Sequence, residues 1–93
     1  MKATWKDAKI AESDETVVVE GNHYFPANAI DMSFLTPSNK KTNCPWKGTA
    51  SYYTINVRGD LNVDACWYYP ETREAAKNIQ GYVAFGRGVE ITG

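Results

Sequence analysis

The chain has 93 residues, a net charge of −1 and ten basic side chains set against eleven acidic ones. That length allows one domain, residues 1–93, without room for two independent cores. The basic residues form no stripe that would follow a phosphate backbone, and no apolar run approaches the roughly 20 residues of a membrane span, so neither nucleic acid nor membrane is expected as a partner.

Met1-Lys2-Ala3-Thr4-Trp5-Lys6-Asp7 lacks the charged-then-apolar order of a signal peptide, and a cytoplasmic location is expected. Two cysteines in a reducing compartment are expected as free thiols. With a single histidine they fall short of a Cys₄ or Cys₂His₂ zinc site, so neither a metal nor a cofactor is anticipated. Six Tyr, three Trp and three Phe supply large apolar areas, which suits a small core built without disulfides.

In chain order, Ala8 to Ala11 and Thr16 to Glu20 read as short strands separated by the turn-forming Glu12-Ser13-Asp14-Glu15. Gly21-Asn22 tolerates positive φ and implies a tight hairpin into His23-Tyr24-Phe25, which Pro26 ends. Asn28 to Leu35 is a short helix or turn that Asn28 or Asp31 could cap, closed by Thr36-Pro37-Ser38-Asn39. Lys41 to Cys44 is extended because a residue before proline avoids helical geometry. Thr49 to Val57 is the longest strand, and Arg58-Gly59-Asp60 turns it into Leu61 to Tyr69. That triplet also matches an adhesion motif, but a hairpin turn accounts for it. Thr72 caps a helix over Arg73 to Ile79. Gln80 to Phe85 and Val89 to Ile91 are strands joined by Gly86-Arg87-Gly88, half of a phosphate loop that lacks its Lys-Ser/Thr and its helix. The reading is a mainly β domain of about seven short strands with one short helix near residues 73–79.

Strand alternation assigns side chains to faces. Ser51, Tyr53, Ile55 and Val57 oppose Ala50, Tyr52, Thr54 and Asn56; Ala65, Trp67 and Tyr69 oppose Asp64, Cys66 and Tyr68. Each strand thus has an aromatic on both faces, which implies either two covered faces or a lined cavity. Thr42 to Thr54 gathers Cys44, Trp46, Lys47, Tyr52 and Tyr53 around a rigid proline and a glycine. The expected site is a concave aromatic pocket lined by Cys44, Trp46, Lys47, Tyr52 or Tyr53, and Trp67 or Tyr69, with Tyr24 and Glu20 approaching from the neighbouring hairpin. Lys47 is read as a rim ammonium able to hold an anion, and Trp46 and Trp67 as core anchors. Hydroxyls of Tyr24, Tyr52, Tyr69 and Tyr82 would supply the pocket's polar points. Cys44 is the candidate nucleophile, with His23 and Glu20 available as base and carboxylate, although nothing in their spacing requires that triad. Cys66, between aromatics in a strand, is read as inert.

Four ordered blocks, Glu20-Gly21-Asn22-His23-Tyr24-Phe25-Pro26, Cys44-Pro45-Trp46-Lys47-Gly48-Thr49-Ala50-Ser51-Tyr52-Tyr53, Ala65-Cys66-Trp67-Tyr68-Tyr69-Pro70-Glu71 and Gly81-Tyr82-Val83-Ala84-Phe85, resemble domain-of-unknown-function family 427. The resemblance runs along essentially the whole chain and departs from the family pattern at Thr72, where a second proline is usual. It implies a small β-tent-like domain, similar to methionine sulfoxide reductase B and the Rab-binding zinc chaperones but without their zinc cysteines. The family has also been labelled a nucleotidyltransferase domain. That chemistry requires clustered carboxylates to hold metal ions against phosphates, and the chain has no Asp-x-Asp pair.

Three functions remain open on this reading. The first is a small-molecule binding or sensing domain with an aromatic pocket carrying Cys44 and Lys47. The second is a thiol-dependent enzyme using Cys44, and the third is a homodimeric or protein-interaction module.

Overall fold

The computed structural model describes residues 1–93 and is mainly β, with two antiparallel sheets. Its strands are β1 (Lys2–Trp5), β2 (Ala8–Glu12), β3 (Val17–Val19), β4 (Asn22–Phe25), β5 (Leu35–Cys44), β6 (Gly48–Val57), β7 (Asp60–Tyr68), β8 (Val83–Phe85) and β9 (Glu90–Thr92). The smaller sheet has the order β2-β1-β9 and the larger one β3-β4-β8-β7-β6-β5. No helix is long and apolar enough to cross a membrane.

Both faces of the larger sheet are covered. Tyr53, Ile55 and Val57 of β6 and Cys66 and Tyr68 of β7 pack with Phe25, Leu35 and Phe85 against Ala3, Ile10 and Ala11 of the small sheet. Ala50 and Tyr52 of β6 and Trp67 of β7 turn the other way, into a second cluster with Tyr24, Tyr69, Ala76, Ile79 and Ala84. The alternation expected for β6 is therefore the observed one. In β7 it breaks at Ala65, which joins Cys66 on the first face rather than Trp67 and Tyr69 on the second. The cause is local: Asp64 has a φ of 55°, and the β6–β7 register shifts between Tyr53 and Ile55. An irregularity of this kind places neighbouring residues on one face. The Asp64 side chain is held there by Ser38 Oγ, and its backbone N–H donates to Thr54 Oγ1 at 3.2 Å.

The structure adds one strand to the sequence reading and corrects several of its expectations. Lys2–Trp5 is a strand that sequence reading leaves unassigned; it is the middle strand of the small sheet and is completed by β9 from the other end of the chain. Thr36 to Asn39 does not close an element but lies inside β5, where Pro37 is tolerated because β5 is an edge strand and its register shifts between Pro37 and Lys41. Gln80 to Tyr82 is a turn rather than strand: Gly81 N–H donates to Tyr69 O at 2.9 Å and Tyr82 N–H to Ile79 O at 3.0 Å. The helix is a 3₁₀ segment, Glu74–Ile79, broken at Ala76. Thr72 does not cap it, since its hydroxyl bonds Gln80 Oε1 at 3.3 Å and the N-cap residue is Arg73. A segment this short cannot nucleate a stable α-helix, so the packing of Ala76 and Ile79 into the second cluster decides its shape. Asn28 to Leu35 resolves into two 3₁₀ turns, Ala27–Ala29 and Met32–Phe34, and Asp31 caps the second by accepting from Ser33 N.

Gly48 controls the approach of two distant segments. It has a φ of +121°, and a Cβ there would lie 2.9 Å from the backbone oxygen of Glu71. Gly21 has a φ of +80° but open space around it. Gly48→Ala should therefore lower unfolding free energy by about 2 kcal/mol or more, from strain plus clash, and Gly21→Ala by about 1 kcal/mol, from strain alone. Urea titration of the two variants checks the order; equal losses would mean that the Gly48–Glu71 approach is looser in solution.

Candidate functional site

The β5–β6 hairpin closes on the Cys44–Gly48 pair and leaves Pro45, Trp46 and Lys47 in the turn. Lys47 O accepts a 3.0 Å hydrogen bond from Arg73 N–H, which ties the turn to the segment entering the 3₁₀ helix. This tether reverses the roles expected of the two adjacent side chains. Lys47 is the buried one, 6% exposed, and Trp46 stands at the surface, 40% exposed. Lys47 is thus not a rim lysine, and Trp46 is not a core anchor.

The Lys47 ammonium donates to Glu20 Oε1 and lies 5.2 Å from the centroid of the Trp46 ring and 5.5 Å from that of Tyr69. A cation over aromatic faces gains from the ring quadrupoles, most strongly where water is excluded. Glu20 comes from the β3–β4 turn, where it and Gly21 both have positive φ, and its own side chain remains 54% exposed. Burial works to lower the Lys47 pKa, but Glu20, with Tyr24 and Tyr69 around it, outweighs burial and leaves the net shift upward. Lys47 is consequently a fixed positive charge and a poor nucleophile. The hydrogen bond from Lys47 is the main reason that the Glu20 carboxyl is held below its usual range, with the Trp46 indole adding to it against desolvation. Burial raises the Tyr69 phenol despite the opposing Lys47 charge, so Tyr69 stays neutral.

Around this pair, Trp67 Nε1–H donates to Tyr24 Oη at 3.1 Å, and the Tyr52 ring lies 6.4 Å from Trp67 at a 41° tilt. Tyr52 Oη and Thr42 Oγ1 share a 2.9 Å hydrogen bond, and Lys40 lies over the Tyr52 ring. Cys44 is half-buried against the same cluster. The structure therefore brings Glu20, Tyr24, Cys44, Trp46, Lys47, Tyr52, Trp67 and Tyr69 to one face of the larger sheet. Tyr53 is separate: it stacks on Tyr68 at 4.9 Å on the opposite face.

These residues pack against one another and do not line a cavity. The concavities of the surface lie elsewhere: one of about 380 Å³ beside Trp5 and Gly88, one of about 350 Å³ at Lys41 and Ser51, and one of about 330 Å³ beside Ile10 and Asn28. The Cys44–His23–Glu20 arrangement is not assembled, because His23 Nδ1 is 3.0 Å from Thr16 Oγ1 and the Glu20 carboxylate is paired with Lys47. Cys66 lies in the first cluster, across the sheet from Cys44, with its thiol pushed up to about 12 by burial. No group of three or more His, Cys, Asp or Glu side chains is arranged to hold a metal ion. Arg73 and Ile79, which clamp and cover the Lys47 face, escape sequence reading because no local pattern links them to a turn some 30 residues earlier.

Truncation should reveal the reversal. Lys47→Ala should cost about 2 kcal/mol by emptying the space of its stem, whereas Trp46→Ala should cost about 1 kcal/mol, well short of a buried aromatic. Denaturant titration decides the order. The ion pair also has a pH signature. Glu20, shifted down from 4.5, stabilises the fold above that pH and loses its effect as pH falls through the lower folded value. Lys47, shifted up from 10.5, stabilises fully below that pH and loses its effect as pH rises through the higher folded value. The stability difference between the parent chain and Glu20→Gln should therefore plateau between about pH 5 and pH 10 and shrink on both sides. A difference independent of pH would show that the pair does not form in solution.

The family model described as domain of unknown function (DUF427) matches residues 1–92. No curated protein matches the chain.

Proposed function

The chain belongs to the DUF427 family, and within it we propose that this protein is a small-molecule binding or sensing domain whose ligand carries an anionic group and a planar ring. One observation supports the reading above the others: a buried ammonium, held charged, is capped by a carboxylate that is itself half in solvent. Glu20 supplies what a ligand carboxylate would supply. It sits on a two-residue turn of the short β3–β4 hairpin, so its rotation outward requires no core rearrangement. An incoming carboxylate would take its place on Lys47, and the exposed face of Trp46 would receive the ligand's ring. In this reading the pocket is closed by Glu20 in the free protein and opens on exchange of one carboxylate for another. Cys44, at the edge of the same cluster, would contact the ligand as a small apolar group.

Benzoate, titrated against the tryptophan fluorescence, tests the exchange. Removal of the competing carboxylate by Glu20→Gln should tighten binding about tenfold, and Lys47→Met, which keeps the stem but not the charge, should weaken it by a similar factor. Benzyl alcohol, a neutral analogue, should not compete. Equal benzoate affinity in the parent and Lys47→Met would remove the proposal.

A further inference from the structure

On the face of β6 opposite Lys47 there is a second arrangement of polar groups, in the concavity of about 350 Å³ lined by Lys41, Thr49, Ser51, Pro70 and Glu71. Lys41 and Ser51 are register partners on β5 and β6, and Lys41 Nζ donates to Ser51 Oγ at 3.1 Å. Ser51 is buried, 7% exposed, so its hydroxyl sits at the floor while Lys41 stands at the wall. Because the ammonium donates to a lone pair of Ser51, the serine proton remains available to a further acceptor. Lys41 keeps two more N–H donors, and Thr49, two residues along the same strand, adds a hydroxyl. One end of the concavity is therefore a cluster of donors with positive charge.

The other end carries Glu71. The two ion pairs of the chain are Lys9–Glu12 and Lys47–Glu20, so Lys41 and Glu71 border one concavity without meeting within ion-pair distance. Their separation is built into the fold. Arg73 N–H is bonded to Lys47 O, and the Glu71 backbone rests against Gly48, so the strand exit that carries Pro70 and Glu71 is fixed beside the β5–β6 hairpin. Opposite charges held apart across a gap are complementary to a ligand that carries both charges itself.

We propose that this concavity is a binding site for a small zwitterion of amino-acid or dipeptide size. Its carboxylate is received by Lys41, Ser51 and Thr49, and its ammonium by Glu71. A serine beside a lysine also suggests hydrolysis, but here Lys41 Nζ donates to Ser51 Oγ and does not accept its proton. Recognition is the chemistry that these groups support. The site is independent of the Lys47 face, which lies on the other side of the sheet.

Amide-shift titration of the isotopically labelled full chain with glycylglycine tests the assignment, with acetate and methylammonium as single-charge controls. Glycylglycine should shift the amides of Lys41, Thr49, Ser51 and Glu71 together and bind at least about tenfold more tightly than either control. Lys41→Met and Glu71→Gln, both at exposed positions, should each weaken it about fivefold or more while the amide spectrum elsewhere stays that of the folded parent. Acetate that binds as tightly as glycylglycine, or an unchanged affinity in Glu71→Gln, would reduce the site to a plain anion contact and overturn the proposal. So would the absence of localised shifts at about 100 mM ligand, where association is too weak to be specific. None of these outcomes bears on benzoate binding at Lys47.

Discussion

The structure depends on one constraint: a single six-stranded sheet with large apolar side chains on both faces has to be covered twice by 93 residues. A small sheet assembled from both ends of the chain covers one face. A single short 3₁₀ segment, inserted between β7 and β8, covers the other, with Ala76 and Ile79 as its buried residues. That second cover is thin. The remaining area is filled by aromatic side chains that lie across one another and by the stem of Lys47. Tyrosine and tryptophan suit this task because their rings bury large areas while their polar tips can pair, as the Trp67 to Tyr24 hydrogen bond does.

A charge within this thin cover requires local compensation. Burial alone would push Lys47 toward the neutral amine, and the balance is reversed by the Glu20 carboxylate on a neighbouring hairpin and by the Tyr24 and Tyr69 phenols. The compensation is asymmetric, since the ammonium is out of water and the carboxylate is half in it. A pair with one partner in solvent differs from a fully buried ion pair. The solvated partner can leave without stranding its own charge, and another anion can replace it. This asymmetry separates the cluster from an ordinary structural ion pair and supports its reading as a closed binding site.

The two candidate sites share one mechanical origin. The contact of Gly48 with the Glu71 backbone and the bond from Arg73 N–H to Lys47 O hold the β5–β6 turn against the exit of β7. On one side of the strands this closure directs Lys47 inward among the rings. On the other it leaves Glu71 facing Lys41 across a gap. Side chains alternate along β6, so a single fixed hairpin can present different chemistry on its two faces.

Much of this was legible in the chain itself. The β-branched run at Val17, Val18 and Val19 and the alternation from Ala50 to Val57 are local patterns whose physics acts within a few residues, and the strands follow them. The tight turn after the valines is also present, but it falls on Glu20-Gly21 rather than on Gly21-Asn22. The grouping of Tyr24, Tyr52 and Trp67 on one face also follows from alternation once the strands are paired, whereas Glu20, Trp46, Lys47 and Tyr69 reach it from turns and strand exits. The pairing, however, is not a local property. The first strand became the middle of a sheet because β9 came from the far end of the chain, and the 3₁₀ form of Glu74–Ile79 was imposed by the surface on which it packs. The bulge at Asp64 moved Ala65 across the sheet with no apolar pattern to announce it. The exchange of burial between Trp46 and Lys47 was likewise decided by a backbone hydrogen bond from Arg73, a contact between residues far apart in sequence. Residue types determined which chemistry was present and which strands would form. Tertiary closure decided which of two adjacent side chains entered the interior, because burial is set by what a segment packs against and not by its own hydropathy.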